Sequence, residues 1–270
     1  MKKYLGIILF ILLACNKNSN QHSIAVPDVI QAQIRRGNII GGIRLFDAND
    51  NALTDGSGLK VTIEQTNVSS TTNSMGKWML DSIPFGTYDL ILSKPGYGTS
   101  RIMGLYHAAN SHATTNVSGI RYISTVSDLQ FTDFFVRKNS EVIPGFVNMF
   151  NLGLVQEGII FYPAFPNPSK KDKAIRFFMS TSPDVSSTNY MVTEKLFYSG
   201  NITQKENDDF TVKWFTTNGF APGQKVYVKA YGDGKYADDY EDPISGLTVF
   251  PCLSTSSSAV ISFVVPGGGK

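Results

Sequence analysis

The chain opens on a charged start, Met1-Lys2-Lys3, followed by an almost wholly apolar run from Tyr4 to Ala14, and turns polar directly after Cys15 with Asn16-Lys17-Asn18-Ser19-Asn20. So short a run does not comfortably span about 30 Å of hydrocarbon. With its basic start and small final residue it reads as an export signal that is cut away. The stretch to about Arg36 is polar, keeps no period, and reads as a tether. From Gly37 onward the pattern changes. Val61 and Ile63 alternate with Lys60, Thr62 and Glu64, the two-residue period of a strand with one face toward a core. Strand segments follow the same logic at 39–46, 59–64, 71–80, 83–92, 120–123 and 131–136, then at 158–163, 174–179, 195–198, 210–215, 225–231 and 259–265. Many short strands between turn clusters predict an all-β protein with two antiparallel β-sandwich domains in tandem. The expected division is a signal peptide over 1–14, a tether over 15–36, one sandwich over 37–147 and a second over 158–266.

The segment Asp47-Ala48-Asn49-Asp50-Asn51 interrupts the first strands. Its short side chains bond their own backbone and tolerate left-handed conformations, so it predicts a turn. A calcium loop of the EF-hand kind would need Gly at its sixth position and Glu at its twelfth, where this chain has Ala52 and Gly58.

Two sets of residues carry a family resemblance. Leu12-Leu13-Ala14-Cys15 resembles the lipobox of bacterial lipoproteins, which implies cleavage before Cys15 and a lipid on its thiol. Two or three acyl chains anchor stably, because each buried methylene contributes roughly 0.8 kcal/mol. The expected location is therefore the bacterial envelope, at the outer membrane. Thr72, Gly76, Trp78, Leu80, Ile83, Pro84, Gly86, Tyr88, Leu90 and Gly96-Tyr97 resemble the pattern of the carboxypeptidase regulatory-like domain, a transthyretin-like β-sandwich, over about residues 37–102. The chain departs from that pattern at Asn73, where Asp is usual, and at Asn51-Ala52, where Gly-Pro is common. Physically, Gly76 and Gly86 suit angles other residues resist, Pro84 fixes its own, and Trp78, Tyr88 and Tyr97 supply core area. Residues 220–231 resemble the tyrosine-bearing late strand of fibronectin type III and other immunoglobulin-like domains.

Composition narrows the chemistry. Of 270 residues 42% are hydrophobic, 12% aromatic and 17% charged, with 24 glycines, which suits packed strands and tight turns. The formal net charge is +2, and the densest basic stretch is Lys170-Lys171-Asp172-Lys173, too little for a nucleic-acid surface. With Cys15 lipidated, Cys252 has no intrachain partner and is expected to be a small, buried thiol. His107 and His112, in a stretch rich in small polar residues without a neighbouring acid, read as exposed loop histidines rather than a zinc site. No Gly-x-Ser-x-Gly elbow or phosphate loop is present, so no catalytic residue, metal or cofactor is expected. The one candidate ligand loop holds Asp233, Tyr236, Asp238, Asp239 and Tyr240, followed by Glu241 and Asp242. Its oxygens suit calcium or the hydroxyls of a glycan, and the alternative is a solvated loop. The resemblance implies a non-catalytic binding or assembly module engaging a carbohydrate or an envelope protein. The alternatives are an adhesin-like stalk and a hydrolase with two distant carboxylates.

Overall fold

A computed structural model of the protein describes residues 35–108, 114–138, 158–169, 171–198, 210–236 and 238–267. Cys15, His22 and His112 lie outside the described residues. Arg35–Lys270 belongs to one compact unit, and its described residues are all-β apart from one short helix.

The first seven strands are β1 (Arg36–Phe46), β2 (Lys60–Ile63), β3 (Ser69–Thr71), β4 (Lys77–Pro84), β5 (Gly86–Ser93), β6 (Ser100–His107) and β7 (Thr114–Ser124). They form two sheets, ordered β4-β1-β7 and β3-β2-β5-β6. Between them packs a mainly aliphatic core that includes Ile39, Leu45, Val61, Leu80, Leu90 and Leu92, with Trp78 buried inside it and Tyr88 and Tyr97 packed against it. Every pairing is antiparallel except β1 with β7, which run parallel. Opposite Gly41 of β1, β7 bulges through Val117, Ser118 and Gly119.

The turns give several of the residues singled out in the sequence a physical role. Buried Thr72 donates its hydroxyl to Gly56 O at 2.6 Å and accepts from Leu59 N at 3.0 Å. Asn73 Oδ1 accepts from the backbone N–H groups of Met75 and Lys77, each at 3.0 Å, so the amide oxygen serves where a carboxylate would. Gly76 sits at φ +72°, and a Cβ there would lie 2.2 Å from Ile43 O. Gly86 does not adopt a left-handed angle; the turn is fixed instead by Tyr88, whose hydroxyl donates to Pro84 O at 2.7 Å.

The second set comprises β8 (Asp133–Lys138), β9 (Gly158–Ala164), β10 (Lys173–Ser180), β11 (Val192–Tyr198), β12 (Phe210–Thr211), α1 (Val212–Thr217), β13 (Lys225–Asp233), β14 (Tyr240–Glu241), β15 (Thr248–Val249) and β16 (Ile261–Val264). The sheets are β11-β10-β13-β16 and β12-β9-β8, with β14-β15 as a small hairpin. Their core is aromatic, built from Phe134, Phe161, Phe177, Tyr198, Phe210, Phe215, Phe220 and Phe263 together with aliphatic neighbours. Strand β10 is buried on both faces, because Phe178 on its far side packs with Val185 and Phe250.

Two expectations need correction. Residues 210–215 are not one strand. Thr211 Oγ1 accepts from Trp214 N at 3.1 Å and caps α1, a side-chain acceptor that turns the chain into a helix. His107 is not an exposed loop residue. It is fully buried at the end of β6, with Nδ1 2.7 Å from Thr115 Oγ1 and Nε2 3.2 Å from Ile83 O. Nε2 faces a carbonyl oxygen and so donates to it, while Nδ1 and the Thr115 hydroxyl share the second hydrogen bond.

Candidate functional site

The acidic stretch begins where β13 ends. Asp233 is buried, and its Oδ2 accepts from Arg176 Nε of β10 at 2.8 Å while its Oδ1 accepts from Gly234 N at 2.7 Å. Lys195 Nζ stands 3.8 Å from the same carboxylate. Asp239 takes the other arm of the guanidinium, with Arg176 Nη2 at 2.9 Å. Burial pushes the Asp239 carboxyl up, and the Arg176 charge opposes that shift. The guanidinium also lies 4.5 Å from the Phe250 ring centroid. Two charges taken out of water cost several kcal/mol each unless their hydrogen bonds are satisfied, and here Nε and Nη2 of Arg176 and both oxygens of Asp233 are occupied.

The later acids reach across to the first sheets. Asp238 pairs with Arg121 of β7 at 2.9 Å. Asp242 lies 3.6 Å from Arg101 of β6, which also pairs with Glu64 and sits 5.6 Å from the Tyr240 ring centroid. The Ser245 hydroxyl and backbone N–H donate to Asp242 and hold its carboxyl below the usual range. The five residues singled out in the sequence thus do different work. Asp233 and Asp239 share a buried arginine, Tyr240 stacks under a second, and Tyr236 and Asp238 face a groove. Among the described residues no three His, Cys, Asp or Glu side chains converge on a metal position.

The same side of the molecule is fastened at a second place. Lys173 Nζ donates to Asn49 Oδ1 at 2.9 Å and to Ala48 O, and Lys171 Nζ donates to Asn51 Oδ1. The basic stretch of the sequence thus clamps the Asp47–Asn51 turn. Burial pushes Asp50 up, against Lys235 and Lys173. A cavity of about 20 Å³ behind this turn, lined by Thr125, Asp128 and Asp233 among others, has room for a single water.

Cys252 is free and fully buried between the two sets of sheets. Its thiol donates to Ser124 O at 3.3 Å, and burial pushes it up to about 12. Gly98 makes the close approach possible, since a Cβ there would lie 2.5 Å from the sulfur.

The groove has a volume of about 370 Å³ and is walled by Ile120, Arg121 and Tyr122 of β7 on one side and by Lys235, Tyr236 and Asp238 on the other. That volume falls within the range of small-ligand sites. Successive residues of a strand point to opposite faces, so Ile120, Arg121 and Tyr122 can line one groove only where it follows the edge of the strand. The edge is open because β7 pairs with β1 on its other side. Thr125 N bonds Phe46 O of β1, whereas Ser124 O accepts from Gly98 N across the opposite edge. The two-residue period then carries the backbone N–H and C=O of Tyr122 and Ile120 to the open edge. The rings form a compact set. Tyr236 lies against Phe46 with centroids 4.1 Å apart, and Tyr122 stands 5.6 Å from Tyr236 and 5.7 Å from Phe46. Tyr122 nevertheless remains 45% exposed. Where Tyr122, Tyr236 and Asp238 meet, a small recess of about 10 Å³ is bordered by Ser100 and Pro251, with the Ser100 hydroxyl itself sealed from solvent. Sequence reasoning found Tyr236 and Asp238 but missed Arg121 and Tyr122, whose alternation is that of any strand.

No protein-family model matches the chain, and no curated protein matches it. Among solved structures it is similar to a type II cohesin–X-dockerin complex from Acetivibrio cellulolyticus, at 24% identity over 33% of this chain with a TM-score of 0.27. The chain spans 58% of the length of that relative. A DUF3823 family protein from Parabacteroides merdae matches at 9% identity over 84% of this chain and 98% of its own, with a TM-score of 0.27. The major pilin SpaD from Corynebacterium diphtheriae matches at 12% identity over 85% of this chain and 67% of its own, with a TM-score of 0.25. At these TM-scores the likenesses decide neither fold nor function.

Proposed function

We propose that the protein is a non-catalytic binding module of the bacterial envelope, held at the outer membrane by a lipid on Cys15, with the groove between β7 and the loop after β13 as its binding surface. The observation that carries the reading is the groove: a ligand-sized concavity with an exposed tyrosine, an arginine–aspartate pair and an open strand edge. Such a mixture of apolar face and convergent polar groups is what small-ligand sites present. The acids of the loop support binding over hydrolysis, because Asp233 and Asp239 both engage Arg176 instead of standing apart across a cleft. The carboxypeptidase regulatory-like resemblance of residues 37–102 fits an accessory role, as do two sandwiches fastened by Arg101, Arg121, Lys171 and Lys173. That fastening also favours the stalk-like alternative, which needs rigidity but no groove.

The anchor is tested by Cys15→Ser, which should abolish palmitate labelling and release the protein from membranes; retention after that change would contradict it. The groove is tested in cells by placing a photoreactive residue at Ile120 or at Met75, which is exposed and not part of the groove. An adduct formed at Ile120 and not at Met75 is expected. Equal labelling at both would remove the groove from the account.

A further inference from the structure

The first sandwich begins and ends on neighbouring strands that run in the same direction. The chain enters it at Arg36 of β1 and leaves it at Ser124 of β7, and the two pair in parallel from Asn38 beside Thr114 to Phe46 beside Ser124. One more bond, from Thr125 N to Phe46 O at 3.1 Å, closes the far end. Tension along the chain therefore pulls β1 and β7 in opposite directions along their shared axis. Every bond of the ladder is loaded at once, whereas antiparallel first and last strands would present their ends together and open bond by bond. A parallel pair is slightly weaker per residue at equilibrium, so what this pairing adds is its direction under force.

Sliding is also blocked at the side chains. Ile39, Ile43 and Leu45 of β1 lie in the core, while Arg44 among them is exposed. A slip of one residue would turn this whole set to the wrong face. A slip of two keeps the faces but draws Ile43 into the place of Gly41, where a Cβ would lie 2.4 Å from the Trp78 ring. On its other edge β1 pairs antiparallel with β4, from Arg36 beside Pro84 to Gly42 beside Lys77, a second ladder that must shear before the strand leaves. Beyond β7 the chain is bonded by Val126 N to Gly96 O and by Ser127 N to Cys252 O, and the Lys173–Asn49 and Arg121–Asp238 contacts join the second sandwich at the same end. Pull on the second sandwich thus arrives at the carboxyl-terminal end of β7. We infer that the first sandwich is a tension-bearing element, in which β1 and β7 form a shear clamp between the amino-terminal side of the chain and the second sandwich. This goes beyond the binding reading: it takes the source of the pull from the anchor proposed on Cys15, whereas the clamp itself rests on strand order and on Gly41 and Trp78.

The test stretches single molecules of the full chain carrying Cys15→Ser, first between handles at its two ends and then between the amino-terminal handle and a thiol placed by Asn116→Cys, an exposed position near the start of β7. Cys252 is fully buried and leaves the second handle to that thiol. The second geometry draws the near ends of β1 and β7 apart and opens the ladder bond by bond. At one pulling speed, where rupture follows the unfolding rate under force, the end-to-end pull should release residues 36–124 at severalfold the force of the second geometry. Ile43 N donates to Gly76 O beside β4 and Phe46 O accepts from Thr125 N beside β7, so the two-residue period turns the Arg44 N–H to β7. Arg44→Pro removes that donor and should lower the end-to-end force, while Arg44→Ala keeps it and should leave the force unchanged. Equal forces in the two geometries would overturn the clamp whether or not Arg44→Pro folds, as would a folded Arg44→Pro chain that ruptures at the unaltered force. Neither measurement involves lipid or ligand. Retention of Cys15→Ser at membranes would remove the anchor, and equal labelling at Ile120 and Met75 the groove, with the clamp left standing.

Discussion

Asp233 and Asp238 stand five residues apart in one acidic stretch, and their surroundings divide the stretch into two functions. Asp233 is buried against Arg176 with every oxygen engaged; Asp238 is exposed, borders the groove and holds Arg121 in solvent. The same side chain at the end of a strand serves cohesion, and after a short turn it serves an open surface. Burial, not residue type, sets the difference, because in water an ion pair is screened while in the interior an unpaired partner cannot be tolerated.

The largest expected effect follows from breaking the buried side of that comparison. Asp233→Ala leaves Arg176 buried with only Asp239 to answer it and should cost about 3–5 kcal/mol in denaturant-induced unfolding. The pair Asp233→Leu with Arg176→Met should recover most of that loss, since an apolar pair of similar volume replaces a charged one without an orphan. The next effect appears only in alkali. The Cys252 thiol, ordinarily near 9.0, is pushed up to about 12 by burial, with Asp233 adding to the shift. Its folded pKa exceeds its unfolded one, so its contribution is complete below pH 9 and is lost as pH rises toward 12. Stability should fall across that window, and Cys252→Ala should flatten the fall. The smallest effect belongs to the open side. Asp238→Asn should change stability by at most about 1 kcal/mol in the same unfolding experiment, because the pair is solvent-exposed.

The contrast also explains what could be read from the sequence. Strands with one buried face were legible, as in the alternation of Val61 and Ile63 with polar neighbours, and so was the buried free thiol of Cys252. The 210–215 segment was not, because Trp214 and Phe215 continue a pattern that suits a strand until Thr211 caps a helix. The burial of His107 depended on Thr115 and Ile83, neither of which its local composition reveals. For the site, Tyr236 and Asp238 stood out as a polar loop, but their partners Tyr122 and Arg121 lie more than a hundred residues earlier, in a strand whose open edge depends on where β1 and Gly98 pair. One-dimensional periodicity carries the face of a strand. It does not carry which edge is left free.

The separation of a cohesive half from a binding half is tested most directly by one variant measured twice. Tyr122→Ala should lower unfolding stability by about 1–3 kcal/mol, the scale of its two aromatic contacts, while it abolishes the photoadduct formed at Ile120. A stability loss above that range and as large as that of Asp233→Ala, or an Ile120 photoadduct as strong as in the unaltered protein, would contradict the account.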